Sequence, residues 1–262
     1  MQSEKIINRI VDWLKEYALN AGVKGYVVGV SGGVDSAVVS ALCARTGLEL
    51  LLLEMPIRQK ESEVNRAWEH IEDLKTKYSK IKALKVDLTD SFGNLQAKLE
   101  SNLHVRDNKL ALANTRSRLR MLTLYYYGQT QGLLVCGTGN KVEDFGIGFY
   151  TKYGDGGVDV SPIGDLYKTE VYQLARELDL VDSIQNAIPT DGLWDVERTD
   201  EQQIGATYKE LEAIQKEWGQ KSQDDYEGRM LEVYQIFKRM NRQAQHKMNP
   251  IPVCDIPEQW RD

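Results

Sequence analysis

Between residues 3 and 17 the apolar side chains Ile6, Ile7, Ile10, Leu14 and Tyr17 return at steps of three and four, which predicts an amphipathic helix behind a Ser3 cap. Residues 25–30 (GYVVGV) are short, β-branched and edged by glycine, the pattern of a buried strand. Residues 37–46 then read as a helix closed by Gly47, and 48–55 as a second buried strand stopped by Pro56. The same reasoning predicts a helix at 61–78, a strand at 82–88, a helix at 110–127 and a fourth strand at 132–136. Such alternation predicts an α/β fold, a doubly wound, mostly parallel sheet flanked by helices in the Rossmann-like manner. Past Cys136 the pattern changes to glycine-rich loops at 137–140 and 153–157, followed by a helix at 165–178. A loop around Pro189 and Trp194 leads to helices near 200–218 and 224–245, a helical C-terminal extension. No repeat and no Gly-, Ser- or Pro-rich linker divides the chain, so residues 1–262 are expected to form a single domain.

Composition narrows the partners. Lys and Arg number 33 against 39 Asp and Glu, a formal net charge of −6, which weighs against a nucleic-acid-binding face. No run approaches the ~18–20 apolar residues that a membrane crossing needs, and the densest, 48–55, is broken by Glu49 and Glu54. The opening MQSEKIINRI lacks the apolar core of a signal peptide, so a cytoplasmic location is expected. Cys43, Cys136 and Cys254 are too far apart for a zinc motif and odd in number for a disulfide framework, which suits a reducing compartment. His70, His104 and His246 show no metal-ligand spacing.

Chemistry concentrates in Ser31-Gly32-Gly33-Val34-Asp35-Ser36, between the first strand and its helix. Consecutive glycines admit a ligand close to the backbone, and the N–H groups of a helix start favour an anion. Gly32, Gly33 and Val34 would offer amides to phosphate, with Ser31 and Ser36 adding hydroxyls. Asp35 would repel phosphate unless a cation bridges them, and magnesium is the hard ion suited to carboxylate and phosphate oxygens. The loop is neither a Walker A sequence nor a G-x-G-x-x-G fingerprint. An ordinary capped turn is the alternative. SGGVDS after a buried strand resembles the signature of the N-type ATP pyrophosphatases, of the adenine nucleotide alpha hydrolase-like superfamily, which cleave ATP between its α- and β-phosphates to adenylate a substrate.

Within that group, residues 137–143 (GTGNKVE) and 148–157 (GFYTKYGDGG), with Ser161-Pro162-Ile163, Lys168, Pro189-Thr190 and His246-Lys247, resemble the NAD synthetase family over most of the chain. The resemblance implies that nicotinic acid adenine dinucleotide (deamido-NAD) is adenylated by ATP and amidated by ammonia to NAD, releasing AMP and pyrophosphate. It implies that Asp35 and Glu143 hold magnesium. One extra residue stands between 143 and 149, so counting back from Asp155 points to Asp144 instead, whereas the upstream turn keeps Glu143 in place. By the same resemblance Thr138, Thr190, Arg120 and Lys168 contact ATP, Lys168 from a helix start where only a nearby anion suits a cation. Asp155 binds ammonium or takes its proton. Asn114, Arg118, Lys152, Asp159, His246 and Lys247 hold deamido-NAD, with Lys152 and Asp159 supplied by the partner in a homodimer. Tyr125, Tyr126 and Tyr127 suit either a dimer face or a core edge. A glutamine-dependent form would need a glutaminase domain with a nucleophilic cysteine, for which 262 residues leave no room. A non-catalytic nucleotide sensor and a tRNA-modifying pyrophosphatase are the competing readings, the latter lacking its usual cysteine pairs or basic module.

Overall fold

The structure is a computed structural model that describes residues 1–101, 108–187 and 199–261. Its centre is a sheet of four strands, β1 (Gly25–Gly29), β2 (Glu49–Glu54), β3 (Ile81–Lys85) and β4 (Leu133–Val135), all parallel and in the order β3-β2-β1-β4. Side chains alternate across a strand, and this sorts the helices. Tyr26, Val28, Leu50 and Leu52 face α1 (Ser3–Asn20), α2 (Val34–Arg45), α3 (Glu61–Lys77) and α6 (Lys168–Glu177). Val27, Leu51 and Leu53 face the opposite way, against Phe92 of α4 (Thr89–Glu100) and Met121 and Leu124 of α5 (Lys109–Gln131). Both faces are covered, which is why the central strands read as continuous apolar runs.

A third cluster lies outside the sheet. Ile204 of α8 (Asp200–Ile204), Leu211 and Ile214 of α9 (Tyr208–Glu217), and Val233 and Phe237 of α10 (Gly228–Met248) pack around Val142 and Ile147. Those two residues flank and end a π-helical turn, Glu143–Ile147, so the helical C-terminal region rests on the second glycine-rich loop.

Several boundaries move. Ser3 lies inside α1 rather than capping it. The segment 89–100 forms a helix that the periodicity does not announce, because it buries only Phe92. The expected helix at 165–178 starts at Lys168, where Glu170 reaches back to the amide of Tyr167 at 2.8 Å. Gly205, with φ +86°, splits the helix expected at 200–218, and Thr207 with Glu210 caps the next one. A short helix α7 (Asp182–Gln185) follows α6, and Pro189, Thr190, Trp194 and His104 lie outside the described residues.

His70 joins α3 to α2 in the core. It is fully buried, with Nε2 2.7 Å from Ser40 Oγ. Ser40 spends its own proton on the Ala37 carbonyl at 2.9 Å, so the imidazole donates to the hydroxyl. Burial holds the His70 pKa down at about 4, below its ordinary 6.5. The unfolded chain therefore binds a proton that the folded chain refuses. This contribution to stability is complete above pH 6.5 and is lost as the pH falls toward about 4, by on the order of 3 kcal/mol. Urea unfolding of His70→Gln should show a shallower acid limb across that window, and equal pH slopes for the two proteins would contradict the assignment.

Candidate active site

In a parallel sheet of this order the first connection runs to one side of β1 and a later one to the other, which opens a crevice at the carboxyl ends of β1 and β4. Both glycine-rich loops leave from those ends. Between them lies a cavity of about 280 Å³, lined among others by Ser31, Gly33, Asp35, Thr138, Glu143 and Lys168.

The first loop is held by its own hydroxyls. Ser31 Oγ accepts from the Gly33 amide at 3.2 Å, and Ser36 Oγ accepts from the Ser31 amide at 3.2 Å while donating to the Gly33 carbonyl at 3.0 Å. Gly32 has φ +82°, and a Cβ there would meet the Glu63 carbonyl at 2.7 Å, so α3 closes against the loop only because this residue is glycine. Val34 starts α2, leaving its first amides without intrahelical partners and facing the cavity end of the helix.

Lys168, at the first position of α6, is almost fully buried and extends its ammonium between two carboxylates. Nζ lies 2.5 Å from Asp35 Oδ2 and 3.2 Å from Glu143 Oε1. Burial opposes this cation, but the charges of Asp35 and Glu143 outweigh it and hold the Lys168 pKa above the ordinary lysine value. Asn140 organises both acids. Its Oδ1 accepts from the amides of Val142 and Glu143 at 3.1 and 3.2 Å, capping the π turn, while its Nδ2 approaches Asp35 Oδ1 at 3.4 Å. Tyr208 completes the cluster from α9, donating to Glu143 Oε1 at 2.5 Å, with its ring 4.9 Å from the Lys168 ammonium. Burial, then the charges of Glu143 and Asp200, drive the phenol pKa far up, so Tyr208 remains a donor.

The structure thus brings Glu143, and not Asp144, to Asp35 and Lys168. Asp144 also lines the cavity, with its carboxylate against Gly139. Asp155 Oδ1 accepts from Ser117 Oγ at 2.5 Å and from the Thr151 amide at 3.1 Å, which fixes it at the cavity wall. Burial raises the pKa values of both carboxyls, that of Asp144 strongly, and the like charges of Asp155, Glu143 and Asp35 add to the rise at Asp144.

The three arginines of α5 diverge. Arg116 is buried with its guanidinium 4.7 Å over Phe92. Arg118 donates to the Lys152 carbonyl at 3.1 Å. Arg120 lines the cavity and donates to the Met55 carbonyl at 3.0 Å, its pKa pushed down to about 10 by burial. Asn114 accepts from Thr151 Oγ1 at 2.7 Å. Lys152 and Lys247 donate to carbonyls, the first to His246 and the second to Gly148 and Tyr150. Asp159 stands apart from the cavity, with Oδ1 accepting from Tyr125 and Oδ2 from the Val135 amide. Asn140 and Tyr208 escaped the sequence reading. Asn140 sits within the quoted GTGN block, whereas Tyr208 is 65 positions from Glu143 and carries no local signal.

The arrangement combines a helix start whose first amides are free, a shared lysine and paired carboxylates, groups that suit a phosphate-bearing ligand. Comparison with known proteins agrees. The family model described as NAD synthase matches residues 6–251. The NH(3)-dependent NAD(+) synthetase of Carboxydothermus hydrogenoformans is 39% identical over 249 residues, 93% of this chain and 94% of that one. The NH(3)-dependent NAD(+) synthetase of Archaeoglobus fulgidus is 38% identical over 98% of both chains. Among solved structures, an NMN synthetase from Francisella tularensis superposes with a TM-score of 0.86 at 28% identity, covering 98% of this chain and all of its own. An NH3-dependent NAD synthetase from Campylobacter jejuni superposes with a TM-score of 0.76 at 26% identity, covering 97% of this chain and all of its own. Because the matched region contains both glycine-rich loops, Lys168 and the helices that clamp them, the chain belongs to the NAD synthase family.

Proposed function

We propose that this chain catalyses the ATP-dependent amidation of deamido-NAD to NAD with ammonia. The observation that carries the reading is the meeting of the Ser31–Ser36 loop, Glu143 and Lys168 in one cavity of a chain with this family membership. The acceptor carboxylate attacks the α-phosphorus of ATP and pyrophosphate departs. Ammonia then attacks the adenylated carboxyl carbon, AMP leaves, and the amide nitrogen gives up its surplus proton. The amides of 32–36 and the Ser31 and Ser36 hydroxyls would bind phosphate oxygens, with Thr138 alongside. Lys168 would meet the growing negative charge, and Arg120 the nucleotide. Asp155 would take ammonium or its proton, held in place by Ser117 and Thr151.

The oxygens of Asp35 and Glu143 fit a magnesium ion, since both converge on the single cation Lys168 and form an all-oxygen donor set. Among the described residues no three potential ligands surround one point, so phosphate oxygens and water would complete the shell. Such an ion would neutralise charge on the departing pyrophosphate.

A homodimer is part of the proposal. Leu122, Tyr126 and Tyr153 lie 67%, 63% and 60% exposed along a groove beside α5, an apolar face suited to a second copy. No helix among the described residues is long and apolar enough to cross a membrane, and the three free thiols fit the cytoplasm.

Amidation of nicotinic acid mononucleotide is a second reading. It is favoured by the Francisella structure and by Asp159, both of whose oxygens are already engaged within the chain. The deciding experiment incubates the protein with ATP, magnesium and ammonium and either acceptor, following amide, AMP and pyrophosphate. NAD from the dinucleotide supports the proposal. NMN from the mononucleotide alone moves the substrate, and neither product sinks the reading. In the same assay Lys168→Met should lose on the order of a hundredfold or more in turnover, and a loss below about threefold would remove Lys168 from the chemistry. Leu122→Glu should shift the protein from dimer to monomer in analytical ultracentrifugation, whereas a wild-type monomer would refute the dimer.

A further inference from the structure

The phenol of Tyr208 reaches the cluster of Lys168 and its carboxylates from the C-terminal helical region, and the reaction as set out above gives it no task. Tyr208 is the first residue of α9 and is buried. Its position is fixed from several sides. The amide donates to Glu201 Oε1 at 2.9 Å, and the ring lies in the core cluster of Val142, Ile147 and Leu211. One turn further along the same helix face, Glu212 accepts from the Thr169 amide and hydroxyl at 3.0 and 2.6 Å. This contact ties α9 to the start of α6, next to Lys168. Gln215 ties the same helix to the Lys141 carbonyl, two residues before Glu143.

Both donors to Glu143 use one oxygen. The Tyr208 hydroxyl at 2.5 Å and Lys168 Nζ at 3.2 Å each reach Oε1. Glu143 lines the cavity, and its Oε2 accepts from no described residue and is not shut away from solvent. Lysine alone would not enforce this arrangement. Its three N–H bonds rotate on a flexible stem, so a neighbouring carboxylate can swing to offer either oxygen or both. A phenol has two side-chain torsions and one proton, so it holds one oxygen in one direction. The same hydroxyl lies 3.2 Å from Asp200 Oδ2, the longer of its two contacts. Tyr208 does not line the cavity, so any effect it has on a ligand there passes through the groups it holds.

We propose that Tyr208 is a positioning residue for the metal–nucleotide site, its hydroxyl fastening Glu143 Oε1 beside Lys168 so that Oε2 stays presented to a divalent cation carried by ATP. The inference rests on the magnesium site proposed above at Asp35 and Glu143.

Tyr208→Phe keeps the ring and removes only the hydroxyl. Calorimetric titration with ATP, without an acceptor, in EDTA and then at saturating magnesium, gives the factor by which the metal tightens nucleotide binding. Loss of a hydrogen bond to a charged group should cut that factor about tenfold, while affinity for metal-free ATP stays within about twofold of wild type. In a Glu143→Ala background the same substitution should change the factor no further, because the carboxylate that the hydroxyl positions is gone. Equal weakening with and without magnesium would make the hydroxyl a support of the fold alone and overturn the proposal. An unchanged factor, or a full effect of Tyr208→Phe in the Glu143→Ala background, would also overturn it. Thermal melts check folding, and Tyr208→Leu carries the same comparison if the phenylalanine variant is unstable. A wild type that binds ATP no more tightly with magnesium would defeat the metal site itself, and it would appear before any variant is measured.

Discussion

One ammonium group between two carboxylates sets the geometry of the site. Lys168 is buried, and in a poorly polarisable interior neither it nor Asp35 can be left unpaired without a cost of several kcal/mol. The pair therefore fixes the start of α6 against the start of α2, and Glu143 brings the π turn to the same point. A lysine at the first position of a helix is unfavourable for the helix dipole, so the acids also stabilise a helix start that would otherwise be out of place. Tyr208 extends the arrangement to α9, since its single proton can satisfy the Glu143 carboxylate only if that helix is docked.

The sheet order supplies the crevice in which these groups meet. With β1 flanked by β2 and β4, the loops after β1 and β4 open toward each other at the carboxyl ends of their strands. The C-terminal helices then act as a clamp. Gln215 donates to the Lys141 carbonyl at 3.1 Å, Asn241 to the Gly146 carbonyl at 2.7 Å, and Lys247 to Gly148 and Tyr150. Those bonds hold the π turn in place, and they make the orientation of Glu143 and Asp144 depend on residues up to 99 positions away.

Much of the framework was legible along the chain. Strands that read as apolar runs became central strands because both of their faces are covered. The SGGVDS loop fell between β1 and α2 because glycine and a helix start are local features. Lys168 could be placed at a helix start from local sequence too. Legibility failed where burial was slight or distant. α4 hides because Phe92 is its one buried residue, and β3 ends early because its outer residues alternate toward solvent at the sheet edge. The divergence of Arg116, Arg118 and Arg120 could not be read from their spacing, since Phe92, the Lys152 carbonyl and the Met55 carbonyl each draw one of them in a different direction.

The sequence by itself determined the parallel α/β plan, the phosphate-binding loop, the family resemblance and the set of charged residues from which the site is drawn. These follow from periodicity, glycine positions and short motifs, all of which act over a few residues. Only the tertiary structure decided which acid meets Lys168, where Asp144 turns, and that Tyr208 and Asn140 belong to the cluster. Those outcomes depend on pairing buried charges and hydrogen-bonding groups across elements far apart in the chain. A linear pattern carries no record of which distant partner will satisfy them.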